Sequence, residues 1–158
     1  MKILHIITEI DTGGAVSLLS KLIDEKNSKE VKHVLVSLKK IKKDFNTKNI
    51  QKVYSLNIII KPLFFLKLFE LLKIIKKEKP DVIQTWMYHS NLIGGIAAKI
   101  MGIKKIYWAV LAYSVNAKII KLSTRIIIHL NVFFSYFIPK KIVFCANSSQ
   151  NTHKKIGF

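Results

Sequence analysis

Apolar and polar residues follow one another along the chain in a pattern that predicts alternating strands and helices. The compact apolar run Lys2–Ile7 is typical of a buried strand. A helix is predicted over Ala15–Ile23, with Leu18, Leu19 and Leu22 facing inward. Further strands are predicted over His33–Leu38, Lys52–Ser55, Val82–Thr85, Lys105–Val110 and Lys141–Cys145. Further helices are predicted from Pro62 to about Lys77 and over Leu92–Met101, Ala117–Phe137 and Ser148–Lys155. Asn91 is the predicted N-cap of the helix Leu92–Met101, and Gly102 follows the end of that helix.

Strands and helices in this order indicate a parallel sheet with right-handed crossovers. The predicted fold class is therefore α/β, a doubly wound, Rossmann-like domain. In such sheets ligands bind outside the carboxyl ends of the strands. Three loops that leave predicted strands are candidate sites, namely Thr8–Ala15, Trp86–Asn91 and Leu111–Asn116.

Composition narrows the class of protein further. The chain has 158 residues, 27 basic and 9 acidic side chains, and a net charge of +18. Arg125 is the only arginine, and the lysines are spread along the whole chain. This distribution favours an anionic membrane surface over nucleic acid as the partner of the basic side chains. The single cysteine, Cys145, excludes an internal disulfide and fits a cytoplasmic protein. It is predicted to lie inside a strand with no activating neighbour.

The loop after the first strand contains adjacent glycines, Gly13 and Gly14, at the start of a predicted helix. It matches neither the dinucleotide fingerprint nor the P-loop motif. One interpretation is structural, a tight turn with close packing of the helix on the strand. The other is chemical, because glycines at a helix N-terminus let a phosphate approach backbone N–H groups. The loop alone leaves both interpretations open.

The loop after the predicted strand Val82–Thr85 brings Trp86, Tyr88 and His89 to one strand end. His89 is placed to hydrogen-bond a bound ligand there. The remaining histidines are predicted to be structural, without partners at catalytic spacing: His5, His33, His129 and His153.

The pair Gly94-Gly95 is predicted to let the helix that contains it approach the sheet closely. The amphipathic segment after Pro62, with Phe64, Phe65 and Phe69, is predicted to pack on the sheet or, alternatively, to enter a membrane interface.

The ordered motifs resemble the N-terminal half of family 4 glycosyltransferases, which are retaining enzymes of the GT-B fold. The resemblance rests on the turn Thr12–Ala15, on Lys79–Asp81 followed by Thr85–His89, on the helix Asn91–Lys99, on the Trp-containing strand Ile106–Val110 and on Ile138–Phe158. The sequence departs from the family pattern at Val16, where glutamate is common, and at Leu111–Ser114, where arginine or histidine is frequent.

The resemblance implies that residues 1–158 form the acceptor-side, Rossmann-like domain of a two-domain enzyme whose C-terminal, donor-binding domain is absent. It implies a nucleotide-sugar donor, no further cofactor and no metal ion. Gly13 and Gly14 would bind the donor diphosphate through backbone N–H groups, and His89 would act as the catalytic residue beside the transferred sugar. Candidate acceptor contacts are Thr12, Trp86, Tyr88, Tyr113 and Ser114.

The expected function is that of a hexosyl-type glycosyltransferase that acts on a glycan or lipid-linked acceptor in the synthesis of cell-surface polysaccharide. The protein would work in the cytoplasm, peripherally at the inner membrane face. This chain alone is expected to be inactive. The alternative is a non-catalytic partner subunit that provides an acceptor or membrane platform to a second chain carrying the other domain.

Overall fold

The computed structural model describes residues 1–11, 13–25, 30–39, 41, 49–58, 64–112 and 120–158. Strands and helices alternate along this part of the chain. The strands are β1 (Lys2–Ile7), β2 (Lys32–Ser37), β3 (Ile50–Ser55), β4 (Val82–Trp86), β5 (Ile106–Val110) and β6 (Lys141–Phe144). The helices are α1 (Gly14–Asp24), α2 (Phe64–Glu78), α3 (Tyr88–Ile100), α4 (Leu122–Ser135) and α5 (Asn147–Lys155).

All the described strands are parallel and form one sheet in the order β3-β2-β1-β4-β5-β6. The sheet grows from β1 in one direction through β2 and β3, and in the other through β4, β5 and β6. The direction in which successive strands are added to the sheet therefore reverses between β1 and β4, where Ile7 and Trp86 are register partners. This arrangement confirms the predicted doubly wound α/β fold and places the loops after β1 and β4 side by side at the switch point.

Helices cover both faces of the sheet. On one face α2 and α3 pack on strand residues such as Leu4, Ile6 and Trp108, all of them fully buried. On the other face α1 places Leu19 and Ile23 against Leu35 and Trp86. Strands buried on both faces have near-continuous apolar runs, and in β1 only Lys2 and His5 interrupt that run.

The inward face of α1 differs from the prediction. Leu19 is fully buried, but Leu18 and Leu22 are 44% and 38% exposed. The helix is turned so that Leu19 and Ile23, which are four residues apart, face the sheet together. The three leucines lie within an arc of about 100°, and contacts with the sheet select the side of that arc that carries Leu19 next to Ile23.

Helix α3 begins earlier than predicted. It starts at Tyr88, directly after Met87, whose φ of 71° lies in the left-handed region. The sharp turn at Met87 converts strand into helix without a linker, so Asn91 lies inside the first turns and does not cap the helix. Its side chain is buried against Thr85, and its neighbours fit an amide nitrogen donating to the Thr85 hydroxyl and backbone carbonyls. Gly102 follows the helix with a φ of 73°, as predicted for its end.

The glycines of α3 are packing residues, as predicted. A Cβ added at Gly94 would lie 2.9 Å from Ile6 Cδ1 and 2.9 Å from Thr85 Cγ2. A Cβ added at Gly95 would lie 2.9 Å from Nε1 of Trp108. Only glycine lets α3 lie this close to β1, β4 and β5.

Helix α2 packs on the sheet through Leu71, Ile74 and Ile75, while Phe69 is 60% exposed. Pro62, the predicted start of this helix, lies outside the described residues. None of the helices in the described part of the chain is long and apolar enough to span a membrane.

Two histidines that the sequence left without partners form a buried pair. Nε2 of His5 lies 3.0 Å from Nδ1 of His33, and both side chains are buried. Nδ1 of His5 in turn accepts a hydrogen bond of 3.4 Å from the indole nitrogen of Trp86. Burial, and secondarily the neighbouring His33, lowers the pKa of His5 to about 3, so the imidazole is neutral in the folded protein.

Candidate functional site

A cleft of about 540 Å³ lies at the carboxyl edge of the sheet, beside the switch point. Its walls come from the loop after β1, the first turns of α1 and the ends of β4, β5 and β6. The residues that line it are Glu9, Asp11, Gly13, Gly14, Ala15, Val16, Leu18, Met87, Leu111 and Cys145. Parallel α/β sheets place their ligand sites at this edge because all strands end there together.

Gly13 and Gly14 are both exposed to this cleft at the N-terminus of α1. Gly13 has φ 174° and ψ 160°, an extended conformation that any residue adopts. A Cβ added at either glycine would meet no atom of the described residues within 4 Å. Among the described residues, neither a left-handed turn nor close packing therefore calls for glycine here, which favours the chemical interpretation of this pair over the structural one. What the two glycines provide is open space in front of the backbone.

The same space faces the N-terminus of α1. The first N–H groups of an α-helix have no acceptors within the helix, and the helix dipole makes this end favourable for an anion. The first turn of α1 carries no acidic side chain. Glu9 and Asp11 also line the cleft, and Lys39 Nζ lies 3.0 Å from Oε2 of Glu9, which offsets part of that negative charge.

His89 lies in the first turn of α3, half-buried, and is not one of the residues that line the cleft. Its pKa is lowered from the ordinary value, first by burial and then by the positive charge of Lys39. The imidazole is therefore neutral at neutral pH, with one nitrogen that donates and one that accepts.

The loop after β1 is joined to the helix that carries His89. Thr8 Oγ1 lies 2.8 Å from Oγ of Ser90, and the backbone carbonyl of Thr8 accepts from the N–H of Lys39 at 2.9 Å. These contacts hold the ends of β1 and β2 and the start of α3 in one arrangement. None of Thr8, Lys39 and Ser90 was singled out from the sequence, because only the strand order brings them together.

Trp86 and Tyr88 do not reach the cleft. Trp86 is 2% exposed and Tyr88 is 4% exposed, so the prediction that these side chains contact an acceptor does not fit the structure. The Tyr88 hydroxyl bonds to Nε2 of His153, whose Nδ1 donates to the carbonyl of Ser149 at 2.7 Å. Burial raises the pKa of Tyr88 to about 12. The hydrogen bond between Tyr88 and His153 connects α5 to the start of α3, so His153 has a partner that the sequence did not predict.

The remaining predicted acceptor contacts, Thr12, Tyr113 and Ser114, lie outside the described residues. Cys145 was predicted to lie inside a strand, but it follows β6, is exposed and lines the cleft. Among the described residues no group of His, Cys, Asp and Glu side chains could hold a metal ion.

Comparisons with solved structures identify related folds. The UDP-GlcNAc 2-epimerase of Methanocaldococcus jannaschii is 19% identical, with a TM-score of 0.69 over 100% of this chain and 43% of that one. HepE of Anabaena, solved in complex with UDP and glucose, is 15% identical, with a TM-score of 0.72 over 99% of this chain and 41% of that one. MurG of Acinetobacter baumannii is 15% identical, with a TM-score of 0.62 over 92% of this chain and 41% of that one.

The chain spans about two fifths of the length of each of these proteins, and its fold is that of one half of a GT-B architecture, as predicted. No curated protein matches its sequence. The model of the family described as glycosyl transferase 4-like matches residues 4–131. Because that match covers most of the sequence, the chain belongs to the glycosyl transferase 4-like family.

Proposed function

We propose that this chain is the acceptor-side domain of a retaining glycosyltransferase, and that its cleft receives the diphosphate of a nucleotide-sugar. The observation that carries the proposal is the open backbone at Gly13 and Gly14. Both glycines line the cleft at a helix N-terminus, and nothing in the described fold requires a glycine at either position. A side chain there would occupy the space that a phosphate needs to reach the N–H groups.

Family membership and the related structures support a nucleotide-sugar as donor. HepE of Anabaena was solved with UDP and glucose, and the relative from M. jannaschii is a UDP-GlcNAc 2-epimerase. In the proposed arrangement the diphosphate accepts hydrogen bonds from the first turn of α1. The sugar and the bulk of the nucleotide would be held by a second domain.

His89 is the proposed catalytic residue, close to the transferred sugar. Its neutral imidazole would hydrogen-bond a sugar hydroxyl and, because it carries no charge of its own, would not repel the positive charge that develops near the reacting carbon. Two features support this role, the position of His89 next to the switch point and the lowered pKa that keeps its ring neutral. The donor's negative charge would be balanced by backbone dipoles and cationic side chains, with no metal ion.

The acceptor we propose is a glycan or a lipid-linked glycan used to build cell-surface polysaccharide, with the protein peripheral to the inner face of the membrane. The net charge of +18 supports contact with an anionic surface. The alternative, a partner subunit without its own activity, would keep the same cleft for an acceptor but would not need to contact the donor.

Cys145 allows a direct test, because this exposed thiol is the chain's single cysteine and lines the same cleft as Gly13 and Gly14. We expect UDP and UDP-sugars to slow alkylation of Cys145 by a maleimide, and uridine, which lacks phosphate, to leave the rate unchanged. In the variant G14V, UDP should no longer slow alkylation of Cys145. Without UDP, Cys145 of this variant should react at the wild-type rate. Equal rates with saturating UDP and without it would contradict a donor-binding role and favour the partner subunit.

A further inference from the structure

Helix α4 exposes a stripe of large apolar side chains. Leu122, Ile126, Leu130, Phe133 and Phe137 are 70%, 54%, 41%, 60% and 60% exposed. They follow one another at intervals of three or four residues, so they lie on one side of the helix and its C-terminal turn. The opposite side of α4 is the packed one, where Ile128 and Asn131 are buried.

The stripe continues into an apolar groove between α3 and α4. The groove has a volume of about 430 Å³, and its walls are Ile96, Ile100, Phe133, Phe134, Phe137 and Ile138 with the stem of Lys99. Ile100, at the end of α3, is itself 61% exposed. Contiguous apolar surface of this kind is unusual on a monomer and marks a contact surface.

The surroundings of the stripe are strongly cationic. Residues 82–158 contain ten Lys and Arg residues and no Asp or Glu. Lys121 precedes α4, Arg125 lies one turn into it, and Lys140 follows it, all three with exposed side chains. Lys99 closes the groove by donating from Nζ to the carbonyl of Phe137 at 3.0 Å. A partner that covers this surface must therefore bring both apolar and negatively charged groups.

We propose that the stripe and groove of α4 dock onto an anionic lipid bilayer. Aromatic side chains would enter the interface while Arg125 and the lysines contact the headgroups. A second copy of this chain is the weaker choice of occupant, since it would bring the same positive charges to the same surface. The proposal rests on the membrane association proposed above and names its surface, and it does not depend on the transfer reaction.

Helix α2, which the sequence suggested for this role, provides the matched comparison. Over residues 67–78 its one exposed large apolar side chain is Phe69, with the same 60% exposure as Phe133. Leu71, Ile74 and Ile75 of that helix are buried against the sheet. The pair Phe69 and Phe133 therefore differs in location and not in residue type or exposure.

The experiment is co-sedimentation of the purified chain with phosphatidylcholine vesicles, either pure or containing about one third phosphatidylglycerol, at about 0.05 M and about 0.5 M salt. We expect binding to the anionic vesicles at low salt, release at high salt and little binding to the neutral ones. F133S should weaken binding about tenfold, whereas F69S should change it by less than about twofold. Unfolding curves of both variants should match the wild type, because both side chains are exposed.

Three outcomes would overturn the proposal. The first is absence of binding to anionic vesicles at low salt. The second is an F69S variant that loses as much binding as F133S, which would show general charge attraction or docking through α2. The third is dimerisation without vesicles that F133S abolishes, which would make a second copy the occupant. Since no donor or acceptor is present, a failure here leaves the Cys145 protection experiment untouched.

Discussion

Oγ1 of Thr8 lies 2.8 Å from Oγ of Ser90, so the loop that ends in Gly13 and Gly14 is bonded to the helix turn that carries His89. The two residues are 82 positions apart in sequence and meet because β1 and β4 are neighbours in the sheet. Ser90 is fully buried. The bond couples the proposed phosphate-binding backbone to the proposed catalytic side chain.

Replacing Ser90 by alanine should lower the free energy of unfolding by about 1 kcal/mol, because the Thr8 hydroxyl loses its partner at a partly buried position. Urea denaturation measures the change. The matched control is S123A on α4, where the serine is exposed and the expected change is below about 0.5 kcal/mol. Equal effects of the two substitutions would show that the Thr8–Ser90 bond does not stabilise the fold.

Replacing Lys39 by glutamine should raise the pKa of His89. Burial and the charge of Lys39 both lower this pKa in the wild type, and the variant removes the second cause while leaving the first. An NMR titration of the His89 ring protons measures the shift, with the ring of exposed His129 as an internal control. A His89 pKa that stays constant or falls in K39Q would mean that Lys39 does not act on this ring.

The chain should lose stability as the pH falls below about 6.5. The pKa of His5 is about 3 in the folded protein and near 6.5 when unfolded, so between these values only the unfolded chain binds the proton. The lowered pKa values of His89 and His153 act in the same direction. One such proton changes the free energy of unfolding by at most about 1.4 kcal/mol per pH unit.

Denaturation at pH 7.5 and at pH 5.5 tests this dependence. H5Q should show a smaller loss of stability between the two pH values than the wild type, whatever its stability at pH 7.5. An H5Q variant with the full wild-type pH dependence would exclude the buried His5 as its source.

Substitution of Gly94 and of Gly14 by alanine should affect stability differently. G94A should destabilise the protein by about 1–3 kcal/mol, because its Cβ would lie 2.9 Å from Ile6 and Thr85 side-chain atoms. G14A should be neutral or stabilise by about 0.5 kcal/mol, since its Cβ meets open space in the described structure and alanine favours the helix. Thermal unfolding of the two variants, compared with the wild type, measures both effects. A destabilised G14A would restore the packing interpretation of the first loop.

Local patterns predicted the fold well. Strand β1 has the predicted bounds, and the other strands agree within a few residues. The buried strands β1, β2 and β5 are short, mostly apolar runs between turns, which makes them recognisable in the sequence. The orientation of α1 could not be predicted, since Leu18, Leu19 and Leu22 are equally apolar. Only the sheet surface selects Leu19 together with Ile23.

The candidate site was predicted in part. The glycines and His89 were found because their residue types and their positions in loops after strands are informative in the sequence itself. Lys39, Thr8 and Ser90 were not found in the sequence, because these residues come together only where β1, β2 and β4 lie side by side in the sheet. The pair of His5 and His33 has the same origin, since these residues lie on one face of adjacent strands, with His33 in register with Ile3. The burial of Trp86 and Tyr88 likewise depends on tertiary packing, of α1 against Trp86 and of His153 in α5 against Tyr88.

The measurement that tests the central claim most directly is a titration of the ¹⁵N-labelled chain with UDP, followed by the backbone amide signals. If the open glycine backbone binds the diphosphate, the amides of Gly13, Gly14 and Ala15 shift most, uridine leaves them in place, and G14V removes the response. Shifts confined to other parts of the chain, or unchanged Gly13 and Gly14 amides at saturating UDP, would contradict the claim that these glycines form the donor site.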